Sequence, residues 1–341
     1  MSDLTLNKRF FLYDFIRVVA CMLVVLFHSP TDSTPGFLQS IIYKFSSGGV
    51  PLFFMISGAL ILPVRDISVY ATWKRIKKVL IPTLIWTVFY SFLGLYCKNI
   101  PLELYIKKVL SIPFMYEFNL TLWFMYALIG VYIISPIISC WLEKASKRDV
   151  EFILLFWLIS SFLPVLSNFI ETDNSPMSLW YYGSGYAGYF LLGYYIRKYG
   201  FEIKNNFLLL FMFCLPFFIE GLIKFVFQTD GRNDLYSYQS IIIIVYATSW
   251  YFILQKISKY INNHRIQDVF SVISSCTFGI YLVHVFFLFY LFDAFSPLTG
   301  IIQLVTNFVL TLLLSFLFTY HIGRFSFSKY FVIYHRGKRI Q

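Results

Sequence analysis

Charged side chains are scarce in this 341-residue chain: Asp, Glu, Lys and Arg make up 13% of it, against about 25% in soluble domains. Hydrophobic residues make up 58%, and the charges are grouped between long uncharged runs. This composition excludes an ordinary soluble domain and indicates an all-α polytopic membrane protein. The five cysteines form no Cys-x-x-Cys motif and no Cys/His spacing, so the sequence predicts neither a metal site nor a disulfide framework.

Long apolar runs define the expected membrane spans. A spanning helix needs about 20 predominantly apolar residues, and ten stretches meet this requirement within one domain covering residues 1–341. These stretches are 10–29, 45–63, 79–97, 120–140, 150–170, 178–196, 206–226, 235–255, 268–292 and 298–322. In 178–196 the glycines and tyrosines favour close helix packing or a cavity wall over contact with lipid.

The positive charges predict the orientation of the bundle. With the N-terminus assigned to the cytoplasm, 21 of the 28 Lys and Arg residues fall on the cytoplasmic side, 6 fall in the alternate loops and Arg17 lies within a span. This alternation follows the positive-inside rule and predicts that both termini are cytoplasmic. The net charge of +11 is thereby explained by topology and contact with anionic lipid, and nucleic acid is not an expected partner.

Two ionisable residues share one face of the first span. Arg17 and His28 are 11 residues apart, which is close to three full turns and about 16 Å along a helix axis. Ionisable groups within the membrane are costly and mark functional sites. A cation at the cytoplasmic end suits a phosphorylated ligand, and an imidazole at the opposite end suits general base catalysis.

Two further residues are expected at the depth of His28. His284 lies far along the ninth span, and Glu220 lies near the outer end of the seventh. A carboxylate beside an imidazole fixes its tautomer, so the sequence predicts that His28, His284 and Glu220 converge as a catalytic group. The alternatives are that Arg17 pairs with Asp14 or snorkels, that His284 is a packed polar residue, and that His28 and Glu220 are interfacial residues.

Five segments in order resemble the acyltransferase-3 family of integral membrane acyltransferases. They are RVVACMLVVLFH (17–28), GGVPLFFMISGALIL (48–62), WKRIKKVLIP (73–82), LWFMYALIGVYIISP (122–136) and SSCTFGIYLVH (274–284). The resemblance covers nearly the whole chain. In its size and expected lack of an appended domain, the chain is most similar to the branch that includes the O-acetyltransferase of enterobacterial common antigen.

The resemblance implies a membrane O-acyltransferase with acetyl-CoA as the donor and no metal. The expected acceptor is a hydroxyl of a cell-surface or lipid-linked glycan, and the expected location is the bacterial inner membrane. Arg17 and His28 are then functional, and Ser57, Lys74, Arg75 and Trp123 are further candidates for substrate binding. Two other functions are open at this stage, namely a transporter or flippase of a lipid-linked sugar and a membrane sensor without chemistry.

Overall fold

The computed structural model of the chain describes residues 3–98, 101, 103, 106, 120–169, 183, 185–227, 236–292, 298–325, 328 and 330–332, and these residues form helices and their connections without a β-strand. The helices are α1 (Asp3–His28), α2 (Gly36–Ser46), α3 (Gly49–Ile61), α4 (Val69–Lys98), α5 (Trp123–Lys144), α6 (Lys147–Phe169), α7 (Ala187–Tyr199), α8 (Asn206–Phe227), α9 (Ile241–Ser258), α10 (His264–Val285) and α11 (Gly300–Ile322). A π-helical segment, Phe286–Phe292, continues α10.

Each predicted span corresponds to a helix, and within the described part of the chain seven stretches are long and apolar enough to cross a membrane. They are Phe11–His28, Gly36–Ile61, Val69–Leu93, Trp123–Lys144, Ile241–Ser258, His264–Phe289 and Gly300–Ile322. The fold is therefore that of a polytopic membrane protein, while the number of ten crossings and the cytoplasmic termini stay predictions.

Several predicted boundaries differ from the observed ones because polar residues start or extend helices beyond the apolar runs. Helix α4 begins at Val69, ten residues before the predicted span, and carries the basic segment as helix. Helix α9 begins after Ser240, whose side chain accepts a hydrogen bond from the Ile242 amide, and α10 begins after Asn263, which accepts one from Arg265. Such side-chain caps satisfy the free amides of a first turn.

One prediction about the connection between the first two spans is wrong. Lys44 is one of the six positive charges that the charge pattern places in the alternate loops, whereas it lies in helix α2 and is buried. The apolar residues around Lys44 give α2 a face that packs against the rest of the protein, with Phe45 in contact with the ring of Trp250. A single buried lysine is tolerated in such a face because it has an ion-pair partner, described below.

Helices α3 and α7 approach each other at backbone distance. A Cβ atom at Gly58 would overlap the carbonyl of Phe190, and one at Gly193 would overlap the carbonyl of Met55. Reciprocal small residues permit this approach between helices in a membrane. The close packing expected for the stretch 178–196 is therefore present at Gly193, while residues 170–182 and 184 lie outside the described part of the chain.

Helix α1 lies centrally and packs along α3 and α10. The Cys21 thiol lies 3.8 Å from the carbonyl oxygen of Thr277, and Gly49 lies against the backbone of Ala20. Cys21 and Cys276 are both fully buried in the contact between α1 and α10. Since α1 and α10 run side by side, residues at corresponding heights on the two helices meet.

Candidate active site

Two imidazoles meet at one end of α1 and α10. His28 is the last residue of α1, and His284 is the second-to-last residue of α10. Their ring centroids are 5.5 Å apart with 35° between the planes. His284 is fully buried and His28 is partly exposed. We call these two residues the histidine pair; the structure brings them together as the sequence predicts, and their catalytic role stays a prediction.

The tautomer of His284 follows from its contact with the preceding turn. Nδ1 lies 2.6 Å from the carbonyl oxygen of Tyr281. A carbonyl oxygen only accepts hydrogen bonds, so Nδ1 carries the proton and Nε2 carries the lone pair. Nε2 is buried and has no hydrogen-bond partner among the described residues. The neutral ring therefore presents a basic nitrogen inside the protein.

A second polar group lies on the same face of α1, about three turns before His28, and is formed by Arg17, Asp14 and Ser274; we call it the Arg17 group. Arg17 Nη1 donates to Ser274 Oγ at 3.2 Å, and Ser274 Oγ donates to Asp14 Oδ1 at 2.6 Å. Arg17 and Asp14 also form an ion pair at 3.8 Å, with 32% of the Arg17 side chain exposed. The pairing with Asp14 is thus present, and it leaves part of the guanidinium open to a further ligand.

Ser57 and Tyr132 lie beside the Arg17 group. The Tyr132 hydroxyl interacts with the Ser57 hydroxyl and lies within electrostatic range of Arg17 and Arg75. Ser57 lies two helical turns after Gly49 of α3, and Gly49 packs against the part of α1 that lies between Arg17 and His28. The contact with Tyr132 places Ser57 on the Arg17 side of that level, and this position is compatible with the substrate-binding role predicted for it.

Of the two basic candidates on α4, Arg75 faces the protein and Lys74 does not. Arg75 donates to Ser135 Oγ at 3.3 Å and to the Asp66 carbonyl oxygen at 2.7 Å, while Lys74 is exposed. Hydrogen bonds from the backbone and side chain of Ser68 hold the pKa of Asp66 below its ordinary value. A permanent carboxylate therefore lies near Arg75 and offsets part of its charge.

Glu220 is held by Lys44 of α2. Its Oε2 lies 2.8 Å from Lys44 Nζ, and its Oε1 accepts a hydrogen bond from Ser40 Oγ at 3.1 Å. Lys44 Nζ also donates to Ser40 Oγ at 2.6 Å. At His284 the Nδ1 atom bonds to the Tyr281 carbonyl oxygen, which fixes the orientation of this ring. Glu220 takes part in an ion pair that joins α2 to α8, and the role in orienting a histidine that the sequence predicts for it stays a prediction.

Trp123 belongs to a layer of aromatic rings that leads to the histidine pair. Its ring stacks on Tyr238 at 5.4 Å and lies 5.5 Å from Tyr186. The next residue, Phe124, contacts Tyr281 at 5.4 Å, and Tyr281 lies 5.5 Å from His284. Half-buried aromatic faces of this kind provide flat apolar area next to polar rims, which suits the binding of a ring-shaped substrate.

Several residues of the site were missed from sequence. Ser274 and Tyr281 lie within the segment SSCTFGIYLVH, but nothing in the local pattern indicates that one bonds Asp14 and the other fixes His284. Lys44 could have been recognised as a lysine inside an otherwise apolar amphipathic stretch. Tyr186 and Tyr238 are two of the chain's 26 tyrosines, so no sequence signal distinguishes them.

The chemistry available is that of polar side chains and bound organic ligands. Among the described residues no group of three or more His, Cys, Asp or Glu side chains gathers in a way that could hold a metal ion. The Arg17 group offers a partly open cation, and the histidine pair offers a basic nitrogen about 16 Å further along α1. The arrangement is suited to an extended ligand with an anionic end and a reactive end.

Apolar helices long enough to span a membrane and the histidine pair define the chain as a multi-pass membrane protein with a candidate catalytic centre. A family model described as an acyltransferase domain matches residues 12–320. The chain therefore belongs to the acyltransferase-3 family and is a membrane acyltransferase. No curated protein and no solved structure matches the chain.

Proposed function

We propose that the protein transfers an acetyl group from cytoplasmic acetyl-CoA to a hydroxyl of a cell-surface or lipid-linked glycan in the bacterial inner membrane. The observation that carries this proposal is the position of the histidine pair and the Arg17 group on one face of α1, about three turns apart. The interval of about 16 Å suits a donor whose phosphates stay at one end while its thioester reaches the other.

The donor enters at the Arg17 end. Its phosphates are met by Arg17 and Arg75, since guanidinium groups bind phosphate oxygens in a bidentate manner. Ser57 and Tyr132 supply hydroxyl groups at the same level. Lys74, which is exposed, contributes long-range attraction that solvent screens.

The acceptor approaches from the histidine end, where the rings of Trp123, Tyr186 and Tyr238 form an apolar surface for a sugar ring. His28 removes the proton of the acceptor hydroxyl as its oxygen attacks the thioester carbon. The C–S bond then breaks, and the proton passes from the imidazole to the leaving thiolate, so that CoA and the acetyl ester are the products. His284, with a free lone pair on Nε2, lies beside His28 and stabilises the imidazolium that forms.

The test uses purified protein in lipid nanodiscs with radiolabelled acetyl-CoA and candidate lipid-linked oligosaccharides. We expect acetate to appear on the oligosaccharide together with stoichiometric free CoA thiol, and mass spectrometry identifies the product. Movement of an oligosaccharide across proteoliposomes without consumption of acetyl-CoA would instead indicate a flippase. Consumption of acetyl-CoA with transfer to an acceptor other than a glycan would retain the acyltransferase and refute the acceptor class.

A further inference from the structure

The helix that carries His284 changes its hydrogen-bond pattern directly after this residue. Helix α10 is α-helical to Val285 and π-helical from Phe286 to Phe292. In a continuous α-helix the Phe286 amide would donate to the Leu282 carbonyl four residues earlier. Here the Phe286 amide is shared between the Val283 carbonyl and a side-chain hydroxyl, so the regular ladder is interrupted at this turn. Short π-helical segments inside α-helices occur frequently at functional sites.

The interruption has an identifiable cause, which is the hydroxyl of Tyr90 on α4. Tyr90 Oη donates to the Leu282 carbonyl oxygen at 2.6 Å and accepts from the Phe286 amide at 3.2 Å. One hydroxyl therefore bonds both to the Leu282 carbonyl and to the Phe286 amide, the two groups that would bond to each other in a regular α-helix. A side chain inserted into the i→i−4 ladder in this way is a recognised cause of a local change in helix geometry.

Tyr90 is itself held in place. Its side chain is 1% exposed, and its ring packs against Trp86 at 5.5 Å. Trp86 donates from Nε1 to the Phe331 carbonyl oxygen at 2.9 Å, and the neighbouring Phe89 contacts Phe286 at 5.9 Å. The hydroxyl of Tyr90 is thus a fixed point of the protein to which the end of α10 is attached.

The two backbone groups that bond Tyr90 bracket His284 in the sequence. Leu282 precedes it by two residues and Phe286 follows it by two. Since the ring of His284 is fixed to its own helix through the Tyr281 carbonyl, a shift of this helical turn carries Nε2 with it. The separation of 5.5 Å between the rings of the histidine pair therefore depends on where Tyr90 holds the turn.

We infer that Tyr90 is a positioning residue for His284: its hydroxyl, inserted between Leu282 and Phe286, sets the position of the second imidazole of the histidine pair. This inference rests on the proposed function for its catalytic consequence, but its structural part does not. A misplacement of about 1 Å in a catalytic group can lower a rate by about 10²-fold. The hydrogen bonds of the Tyr90 hydroxyl described above are to backbone groups of α10, so Tyr90 acts on His284 through that backbone.

The variant that tests this inference is Tyr90→Phe, which removes one oxygen atom and keeps the ring. Without the hydroxyl the Phe286 amide is free to bond the Leu282 carbonyl, so α10 can continue as a regular helix past His284. We expect kcat to fall by about 10- to 100-fold while KM for acetyl-CoA stays within about threefold, because donor binding at the Arg17 group is unaffected. Unchanged kcat would overturn the inference.

The matched control is Tyr246→Phe. Tyr246 is also fully buried and also donates its hydroxyl to a backbone carbonyl, that of Phe45 at 2.9 Å. The chemical change is therefore the same, and each variant loses a hydrogen bond donated to a backbone carbonyl, but the partner of Tyr246 lies on α2. We expect kcat within about twofold of wild type, since a buried hydrogen bond away from the site affects stability and not the chemical step. An equal loss of kcat in both variants would indicate a general structural effect and overturn the positioning role.

A double-mutant cycle separates positioning through His284 from an effect elsewhere. If Tyr90 acts through His284, adding Tyr90→Phe to His284→Ala lowers kcat no further than His284→Ala alone, because the effects of residues in one unit are not additive. Losses that multiply would contradict the inference. The cycle is measured with the sensitive mass-spectrometric assay, so that residual rates are quantified.

A structural measurement tests the role of Tyr90 independently of whether the protein transfers an acetyl group. The structure of the Tyr90→Phe variant, solved with a bound antibody fragment, is expected to show α-helical geometry at residues 286–292 and a ring separation in the histidine pair that differs from 5.5 Å. Retention of both the π-helical segment and the ring separation would overturn the inference. If wild-type protein transfers no acetyl group, the proposed function fails while this structural measurement still decides the role of Tyr90.

Discussion

Replacement of Arg17 by alanine separates donor binding from helix packing. If the guanidinium holds a phosphate of the donor, Arg17→Ala removes a charge-assisted hydrogen bond, which contributes about 1.5–3 kcal/mol. Each 1.4 kcal/mol corresponds to about a tenfold change in Kd, so we expect Kd for CoA to rise by about 10- to 150-fold. The protein should lose little stability, since the ion pair with Asp14 is long, at 3.8 Å, and about a third of the arginine is exposed.

The assay is titration calorimetry of CoA into the protein in nanodiscs, with thermal unfolding measured in parallel. Two further variants make the result specific. Ser274→Ala removes the hydrogen bond to Arg17 but keeps the charge, so Kd should change only a few-fold. Lys74→Ala removes an exposed charge on α4, which solvent screens, and should have a similarly small effect.

The change in donor affinity caused by a substitution at Asp14 distinguishes two roles of Arg17, binding of a phosphate and pairing with Asp14 alone. Asp14→Asn removes the carboxylate that competes with a bound phosphate for the guanidinium, so donor affinity should stay equal or increase. If Arg17 serves only to pair with Asp14, both variants lower thermal stability and leave Kd for CoA unchanged. Wild-type affinity in Arg17→Ala would therefore refute the phosphate-binding role.

Three further predictions address the remaining parts of the structure. His28→Ala should lower the rate of acetyl transfer by about 10²–10⁴-fold without a change in CoA affinity, and a rate close to wild type in the glycan assay would exclude His28 as the base. Lys44→Met removes the ion-pair partner of the mostly buried Glu220 carboxylate and should destabilise the protein by about 3 kcal/mol. The added change Glu220→Leu should restore most of this stability in thermal denaturation, and no recovery would contradict an ion pair between them. Gly193→Leu should disrupt the contact with the Met55 carbonyl and yield protein that unfolds at lower temperature or aggregates on size exclusion, whereas normal behaviour would contradict the close packing of α3 and α7.

The architecture was largely predictable because lipid imposes simple rules on sequence. Apolar runs of fixed length reveal spanning helices, and each predicted stretch corresponds to a helix in the structure. The amphipathic α2 was not predicted by this rule, because Lys44 interrupts its apolar pattern. The ion-pair partner of Lys44, Glu220, lies 176 positions later on α8. Pairings over such distances depend on how helices pack, which a single sequence does not specify.

Some contacts of the candidate site were likewise predictable from sequence, and others were not. The shared face of Arg17 and His28 follows from helical periodicity alone, because both residues belong to α1. His284 approaches His28 because α1 and α10 pack in parallel. The depth of each residue along its span was enough to predict that the two rings lie close together. The hydrogen bond of Tyr90 to the Leu282 carbonyl could not be predicted in this way. It joins a side-chain hydroxyl to a backbone oxygen, and the hydropathy pattern contains no information about such a contact.

The ring of Phe53 has a consequence for the membrane as a barrier. Phe53 lies one turn after Gly49 on α3, packs on the contact of Cys21 and Cys276, and lies 5.7 Å from Phe124, so it occupies the level between Arg17 and His28. A passage wide enough for the arm of a CoA thioester would also conduct water and protons and would dissipate the ion gradient that energises the cell. If the donor is a CoA thioester, as proposed, the ring of Phe53 lies at the level where such a passage would have to stay closed in the absence of donor.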